Sequence, residues 1–250
     1  MLRGFRELIR RPLDDYTAAL APLAAQWRWH RLIVLAGAAA LSWWVYVPLH
    51  ELAHVLGCVL GGGSVTRLDL DPIYGAAWLH RIFPFVSAGS DYAGQLREFD
   101  WRGRDATYLL TDVLPFVGTI LLGVPLLRAA ARPGWRPTAQ AAVLGAALPI
   151  ALAPFISLTG DYYEMGSILV SRIAAHLTPG LDVARWRSDD LFKLGGQLFG
   201  ADGTSTAGDV AGLAASFVVG TLLAFLTYAL GGVWADFLAR RTRGLSGRQR

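Results

Sequence analysis

Four long apolar segments constrain the fold of this chain more than any other feature of its sequence. The first of them includes residues 32–47, which contain no charged side chain. A helix needs about 20 mostly apolar residues to cross the roughly 30 Å of hydrocarbon in a bilayer. Charged residues make up only 17% of the 250 residues, against about 25% in a typical soluble domain. The sequence therefore predicts an integral membrane protein.

The four segments predict an all-α fold, a helical bundle with four transmembrane helices. The spans are predicted at residues 32–60, 107–127, 139–158 with a continuation to 170, and 210–234. We expect one membrane domain over residues 1–250, divided into an N-terminal interfacial segment 1–31, a three-span core 32–170, a loop 171–208, and an accessory span with a basic tail 209–250.

The distribution of arginine predicts the orientation of the spans. Arginines are concentrated in three flanking regions: Arg3, Arg6, Arg10, Arg11, Arg28 and Arg31; Arg128, Arg132 and Arg136; and Arg240, Arg241, Arg243, Arg248 and Arg250. A four-span arrangement brings these regions to one side, and the arginine-rich side is cytoplasmic. We therefore expect a multi-pass protein of a bacterial cell membrane with both termini in the cytoplasm. The net charge of +4 fits the anionic headgroups of a lipid bilayer better than a nucleic-acid partner.

The first span ends with an H-E-x-x-H motif at residues 50–54. On a helix, His50 and His54 lie on one face and can bind a single metal ion, Zn²⁺ in proteins with this motif. Glu51 projects toward the same pocket and can serve as the general base for a water. Because polar side chains inside a span are costly, the motif indicates either a functional site or a buried paired network.

A third metal ligand is expected from another part of the chain, because catalytic zinc has three protein ligands. The third span runs parallel to the first, so its C-terminal end reaches the depth of the motif. Asp161 and Glu164 lie there, three residues apart, and can face one pocket on a helix. Asp161 is the favoured ligand, and Glu164 is kept as the alternative.

Four other residues are weaker candidates for the site. His80 and His176 lie in loops on the non-cytoplasmic side, where histidines are more often exposed. Cys58 follows His54 on the same helical face, and a small buried residue against a neighbouring helix is the simpler account. Asp112 is an acid within the second span, and it can line the pocket, pair with an arginine or lie near the interface.

With these residues in place, the pattern resembles the site-two protease family of intramembrane zinc metalloproteases. That family has a three-helix core, with H-E-x-x-H on the first helix and an aspartate in an L-D-G motif on the third. The resemblance covers residues 32–170. It implies that His50, His54 and Asp161 bind zinc, that Glu51 is the catalytic base, and that a membrane-anchored protein substrate is cleaved in or near the membrane.

The second motif departs from the family pattern. The order here is Gly160-Asp161 instead of Asp-Gly, and no leucine directly precedes the acid. An alternative match aligns Glu164 with the family's aspartate, because Gly166 and an Ile-Leu pair follow it. The family's aspartate usually follows an Asn-Pro-rich turn, whereas this sequence has prolines nearby and no asparagine.

Two segments outside the spans carry further expectations. Residues 5–27 form either an amphipathic helix in the membrane interface or a solvated lead-in. The partial alternation of Ser64–Leu70 predicts a strand, which we expect to hold an unwound substrate by strand addition.

Two alternatives to a membrane-embedded protease stay open. The first is a non-catalytic polytopic membrane protein that uses a metal, or a histidine and carboxylate network, for structure, assembly or ion passage. The second keeps the protease chemistry but acts on soluble peptides that enter from the non-cytoplasmic side.

Overall fold

The computed structural model describes residues 2–25, 28–90, 92–200 and 203–246. Arg248 and Arg250 of the predicted basic tail lie outside these residues. The helices are α1 Leu2–Ala25, α2 Trp29–Leu60, α3 Ala76–Ile82, α4 Asp105–Val113, α5 Val124–Ala130, α6 Pro137–Ile156, α7 Asp161–Leu177, α8 Leu191–Phe199 and α9 Ala207–Ser246. The strands are β1 Ser64–Leu70, β2 Val86–Ala88 and β3 Gly94–Asp100.

Four helical stretches are long and apolar enough to cross a membrane. They are Trp29–Leu60, Asp105–Ala130, Pro137–Leu177 and Ala207–Arg241. Each overlaps one of the four predicted spans, so the prediction of a helical bundle with four candidate membrane helices is confirmed at the level of length and composition. Short 3₁₀ and π segments connect α4 to α5, and a short break separates α6 from α7.

The chain forms two compact units. The first contains Met1–His50, Phe116–Ala153 and Phe225–Arg250, and the second contains Glu51–Pro115 and Pro154–Ala224. Helices α2, α6 and α9 contribute residues to both units, because each unit boundary falls inside a helix.

An ion network centred on the partly buried Arg128 joins three helices of the first unit. The Arg128 guanidinium lies 2.9 Å from Asp15 in α1 and 2.9 Å from Asp236 in α9. The Tyr228 hydroxyl also donates to Asp15, at 3.1 Å. Arg128 is only 15% exposed, so its charge is acceptable because two carboxylates and the Gly232 carbonyl surround it. The N-terminal segment is therefore a helix bound to α5 and α9 rather than an unattached lead-in.

A three-stranded sheet in the second unit adds to the predicted all-α bundle. Its order is β2-β1-β3, with β1 parallel to β2 and antiparallel to β3. The predicted strand Ser64–Leu70 is confirmed, and the sequence analysis did not predict its two neighbours. Leu68 and Leu70 are almost fully buried, because their shared face of the strand covers the interior.

The position of β1 in the sheet limits where a further strand could be added to it. Leu68 to Leu70 pair with β2 on one side and with β3 on the other. A further strand cannot bond to that half of β1, because both edges already carry backbone hydrogen bonds. Gly94 begins β3, which is an outer strand of the sheet within the described residues.

Close backbone contact joins α7 to α9 in the second unit. A Cβ atom on Gly166 would meet the Ser216 carbonyl, and a Cβ atom on Gly220 would meet the Tyr162 carbonyl. Small residues at such crossings let two helix backbones approach closely, a common way for helices to associate in membranes.

We expect Gly220→Ala to lower the free energy of unfolding by about 1–3 kcal/mol, because the added methyl group overlaps the Tyr162 carbonyl. Gly37→Ala is the matched control, since Gly37 lies in α2 with open space around it. That substitution is expected to be neutral or to stabilise the protein by less than about 1 kcal/mol. Equilibrium unfolding in mixed detergent micelles measures both, and equal values for the two variants would contradict the packing described here.

Candidate metal centre

The three polar residues of the motif come together on one turn of α2. One ligand atom each from His50, Glu51 and His54 can be chosen so that all three lie within 4.8 Å of one another. The unbroken helix Trp29–Leu60 produces this grouping, because residues three and four apart share a face. This grouping can hold a metal ion, as the sequence predicted.

The His54 ring is fixed by a backbone carbonyl. Its Nδ1 lies 3.0 Å from the Thr111 carbonyl oxygen. A carbonyl only accepts hydrogen bonds, so Nδ1 carries the proton and Nε2 of the neutral ring keeps its lone pair. A histidine that donates its other ring N–H to a carbonyl in this way is typical of metal ligands.

Asp161 lies close to Nε2 of His54. Its Oδ1 lies 3.7 Å from His54 Nε2, too long for a hydrogen bond. Two ligands of a tetrahedral zinc ion, each about 2.0–2.1 Å from the metal, lie about 3.3 Å apart. The observed separation between Asp161 Oδ1 and His54 Nε2 is therefore close to the one that two ligands of a shared ion would have.

Asp161 is oriented by its neighbour Ser157. The Ser157 hydroxyl donates to Asp161 Oδ2 at 2.7 Å, which leaves Oδ1 directed at His54. Both residues lie at the break between α6 and α7, and Asp161 is the first residue of α7. A carboxylate is favourable there, because the N-terminus of a helix carries partial positive charge.

His50 has its own supporting contacts in the first unit. The Tyr46 hydroxyl lies 3.1 Å from His50 Nδ1, one helical turn away. The Phe116 ring contacts the imidazole edge-on, with ring centroids 5.3 Å apart. Tyr46 and Phe116 are both buried, so the ring is held in apolar surroundings.

Glu164, the alternative third ligand, has a different partner. The Tyr108 hydroxyl forms a hydrogen bond with its carboxylate. Within the described residues, the motif's group of ligand atoms consists of His50, Glu51 and His54, and neither Glu164 nor Asp161 is part of it. The contact to His54 described above is made by Asp161, one helical turn earlier.

Asp112 lies buried beside the acids of α7. It is only 2% exposed, and its closest charged neighbours are Glu164 and Asp161. Its Oδ2 has no hydrogen-bond partner among the described residues. Burial argues against a place in the interface, and the described ion pairs of arginine do not include it. Lining the pocket is the account that fits these observations.

The remaining candidates lie apart from the motif. His80 Nδ1 is 2.6 Å from the Val86 carbonyl, next to the sheet. His176 is exposed in the last turn of α7. The buried Cys58 thiol donates to the Ser64 carbonyl at 3.7 Å. The motif's group of ligand atoms contains none of the three within the described residues.

Gly94 is a site residue that the sequence analysis missed. A Cβ atom at this first residue of β3 would overlap the Glu51 side chain. The start of β3 therefore lies directly against Glu51, which is itself 9% exposed. An isolated glycine at a strand position is the only sequence signal for such an approach, and it is a weak one.

Fold and site together define a helical protein with candidate membrane spans and a candidate metal centre. Comparison of the chain with protein-family models, with curated proteins and with solved structures finds no match. The site-two protease resemblance therefore rests on the motif and its surroundings, and it stays a hypothesis.

Replacing Ser157 tests whether Asp161 is a metal ligand held in place by its neighbour. We expect Ser157→Ala to weaken zinc binding about 10- to 100-fold, the usual effect of losing such an orienting partner. Ser167→Ala is the control, because the Ser167 hydroxyl bonds only within its own helix, to the Glu164 carbonyl. Chelator competition with the purified protein measures both affinities, and an unchanged affinity in Ser157→Ala would remove this residue from the site.

Proposed function

We propose that the protein is a zinc-dependent metalloendopeptidase embedded in the membrane, which cleaves membrane-anchored protein substrates. The observation that best supports this is the approach of Asp161 to His54 Nε2, at 3.7 Å from a separate helix. Two imidazoles and a carboxylate, with a second carboxylate beside them on Glu51, are the residue types of a hydrolytic zinc site.

In this proposal His50, His54 and Asp161 hold the ion, and Glu164 is the alternative third ligand. Zinc, when bound, supplies the Lewis acidity that activates water and polarises a carbonyl. Glu51 accepts a proton from the attacking water and delivers it to the leaving amine. The burial of Glu51 and His54 limits bulk water around these groups and so strengthens their electrostatic interactions.

The substrate in this proposal reaches the centre as an extended strand. A peptide bond inside a helix is shielded by its own turns, so the cleaved segment must first unwind. The outer edge of β3 can pair with that segment through backbone hydrogen bonds. Gly94 is the residue of β3 that contacts Glu51, so a strand on this edge passes close to the base.

The location in this proposal follows the arginine distribution. Both termini are cytoplasmic, and the motif lies near the non-cytoplasmic end of the first span. A centre at that depth is reached by the unwound end of a membrane-anchored substrate.

Three matched carboxylate variants test the proposal. Glu51→Gln is expected to keep zinc and lose cleavage by about 10²- to 10⁴-fold, because only the base is removed. Asp161→Asn is expected to lose zinc and cleavage together, whereas Glu164→Gln retains both. Zinc content is measured by elemental analysis. Cleavage is measured on fluorescent single-span peptides reconstituted with the protein and, separately, on soluble casein.

Each other outcome identifies a different error. Loss of zinc in Glu164→Gln but not in Asp161→Asn would identify Glu164, instead of Asp161, as the third ligand. Cleavage of casein without cleavage of the membrane peptides would favour a protease of soluble peptides. A protein that holds zinc and cleaves neither probe, with Glu51→Gln indistinguishable from it, would be the non-catalytic alternative.

Gly94 provides a separate test of the geometry around the base. We expect Gly94→Ala to lower cleavage at least about tenfold at unchanged zinc content, because its methyl group displaces the Glu51 side chain. Gly195→Ala is the control, since Gly195 has open space around its Cβ position. Wild-type cleavage rates in Gly94→Ala would show that this contact has no part in positioning Glu51.

A further inference from the structure

Helix α1 has one face buried against its own unit. Pro12, Ala19 and Leu23 are buried along it, at the spacing of seven and four residues that marks one side of a helix. Asp15 adds the contacts to Arg128 and Tyr228 described above. The burial and the ion network fix the rotation of α1 about its axis.

A second apolar stripe of α1 is exposed. Ile9, Leu13 and Leu20 are 37%, 67% and 43% exposed, respectively. Their spacing of four and seven residues again places them on one side of the helix, beside the buried face. Large apolar side chains aligned on one exposed side of a helix indicate a surface that contacts an apolar partner.

Basic residues flank this stripe. Arg6 precedes Ile9 by three residues and Arg10 precedes Leu13 by three, so each arginine lies next to the stripe. Both arginines are exposed. Among the acids near α1, Asp15 and Asp236 are engaged by Arg128, and Asp236 also by Arg11. The exposed acids Glu7 and Asp14 lie on the side of α1 away from the stripe.

The height of α1 is set by the ends of two candidate spans. Arg128 lies two residues before the end of the span Asp105–Ala130, and Asp236 lies five residues before the end of Ala207–Arg241. Because Arg128 binds Asp15 and Asp236 binds Arg11, both in α1, the helix is held where these candidate spans end. Trp135, exposed between α5 and α6, is a residue type common at that level.

We propose that α1 lies on the anionic phospholipid surface of the membrane, with Ile9, Leu13 and Leu20 in the acyl boundary and Arg6 and Arg10 on lipid phosphates. An apolar stripe bordered by arginines matches the chemistry of that boundary. The inference rests on the membrane assignment and is independent of the metal chemistry, so either can fail alone.

Fluorescent labels on full-length protein test the depth of the stripe. In a Cys58→Ala background, an environment-sensitive probe is attached at Leu13→Cys or, as the control, at Ala18→Cys on the opposite side of α1. Ala18 is also exposed. In vesicles of phosphatidylcholine and phosphatidylglycerol, brominated lipid is expected to quench the probe at position 13, and aqueous iodide the probe at position 18. Equal access of iodide to both positions would overturn the proposal.

The arginines are tested by changing the charge of the protein and of the lipid. In anionic vesicles, α1 is either bound to the lipid surface or exposed to water. The double variant Arg6→Gln/Arg10→Gln is expected to shift this equilibrium about 30-fold toward the water-exposed state, at about 1 kcal/mol per arginine. The same double variant has no effect in phosphatidylcholine alone. Arg81→Gln with Arg102→Gln removes equal charge from exposed positions of the second unit and leaves quenching unchanged. If the protein that keeps Arg6 and Arg10 shows equal quenching of the probe at position 13 in both kinds of vesicle, a contact of these arginines with lipid phosphates is refuted.

Discussion

The hydrogen bond between His54 Nδ1 and the Thr111 carbonyl is the interaction on which the geometry of the candidate centre depends. It joins α2 to α4 and fixes the orientation of the ring, with Nδ1 directed at the carbonyl and Nε2 on the side of Asp161. The bond forms only because the two helix backbones approach closely. A Cβ atom on Gly57, three residues after His54, would meet the Leu110 carbonyl. Gly57, which has no side chain to take part in catalysis, therefore allows the Thr111 carbonyl to reach the His54 ring.

The break between α6 and α7 serves the same centre from the other side. Non-helical backbone within a membrane span is tolerated only where protein or polar partners satisfy it. Here the Leu191 amide donates to the Thr159 carbonyl at 2.9 Å, and the Gly160 amide to the Ser157 carbonyl at 3.3 Å. The break starts a new helix at Asp161, which places a carboxylate at a favourable helix end. A continuous third span would not offer that position.

The sequence predicted the spans, the motif and the strand Ser64–Leu70, because each depends on local composition or spacing. It did not predict the partners of that strand, nor the contacts of Thr111, Ser157 and Gly94. Those contacts join residues that are distant along the chain, and a single sequence carries no record of which helix approaches which. The pairing of Leu68–Leu70 on both sides was not predicted for the same reason: alternation identifies a strand but does not reveal which of its edges are paired.

Each of the two polar clusters includes a buried group without a hydrogen-bond partner among the described residues. In the first unit, Arg128 has partners in Asp15, Asp236 and the Gly232 carbonyl, whereas the buried hydroxyl of Tyr16, the residue after Asp15, has none there. In the second unit, Asp112 Oδ2 is buried without a partner among the described residues, near Asp161 and Glu164. Buried polar groups left in this condition are costly and concentrate at functional sites, where a bound ion or water completes them. Asp112 differs from Tyr16 in its position, because it interacts with carboxylates that include Asp161, the proposed third ligand of the H-E-x-x-H site.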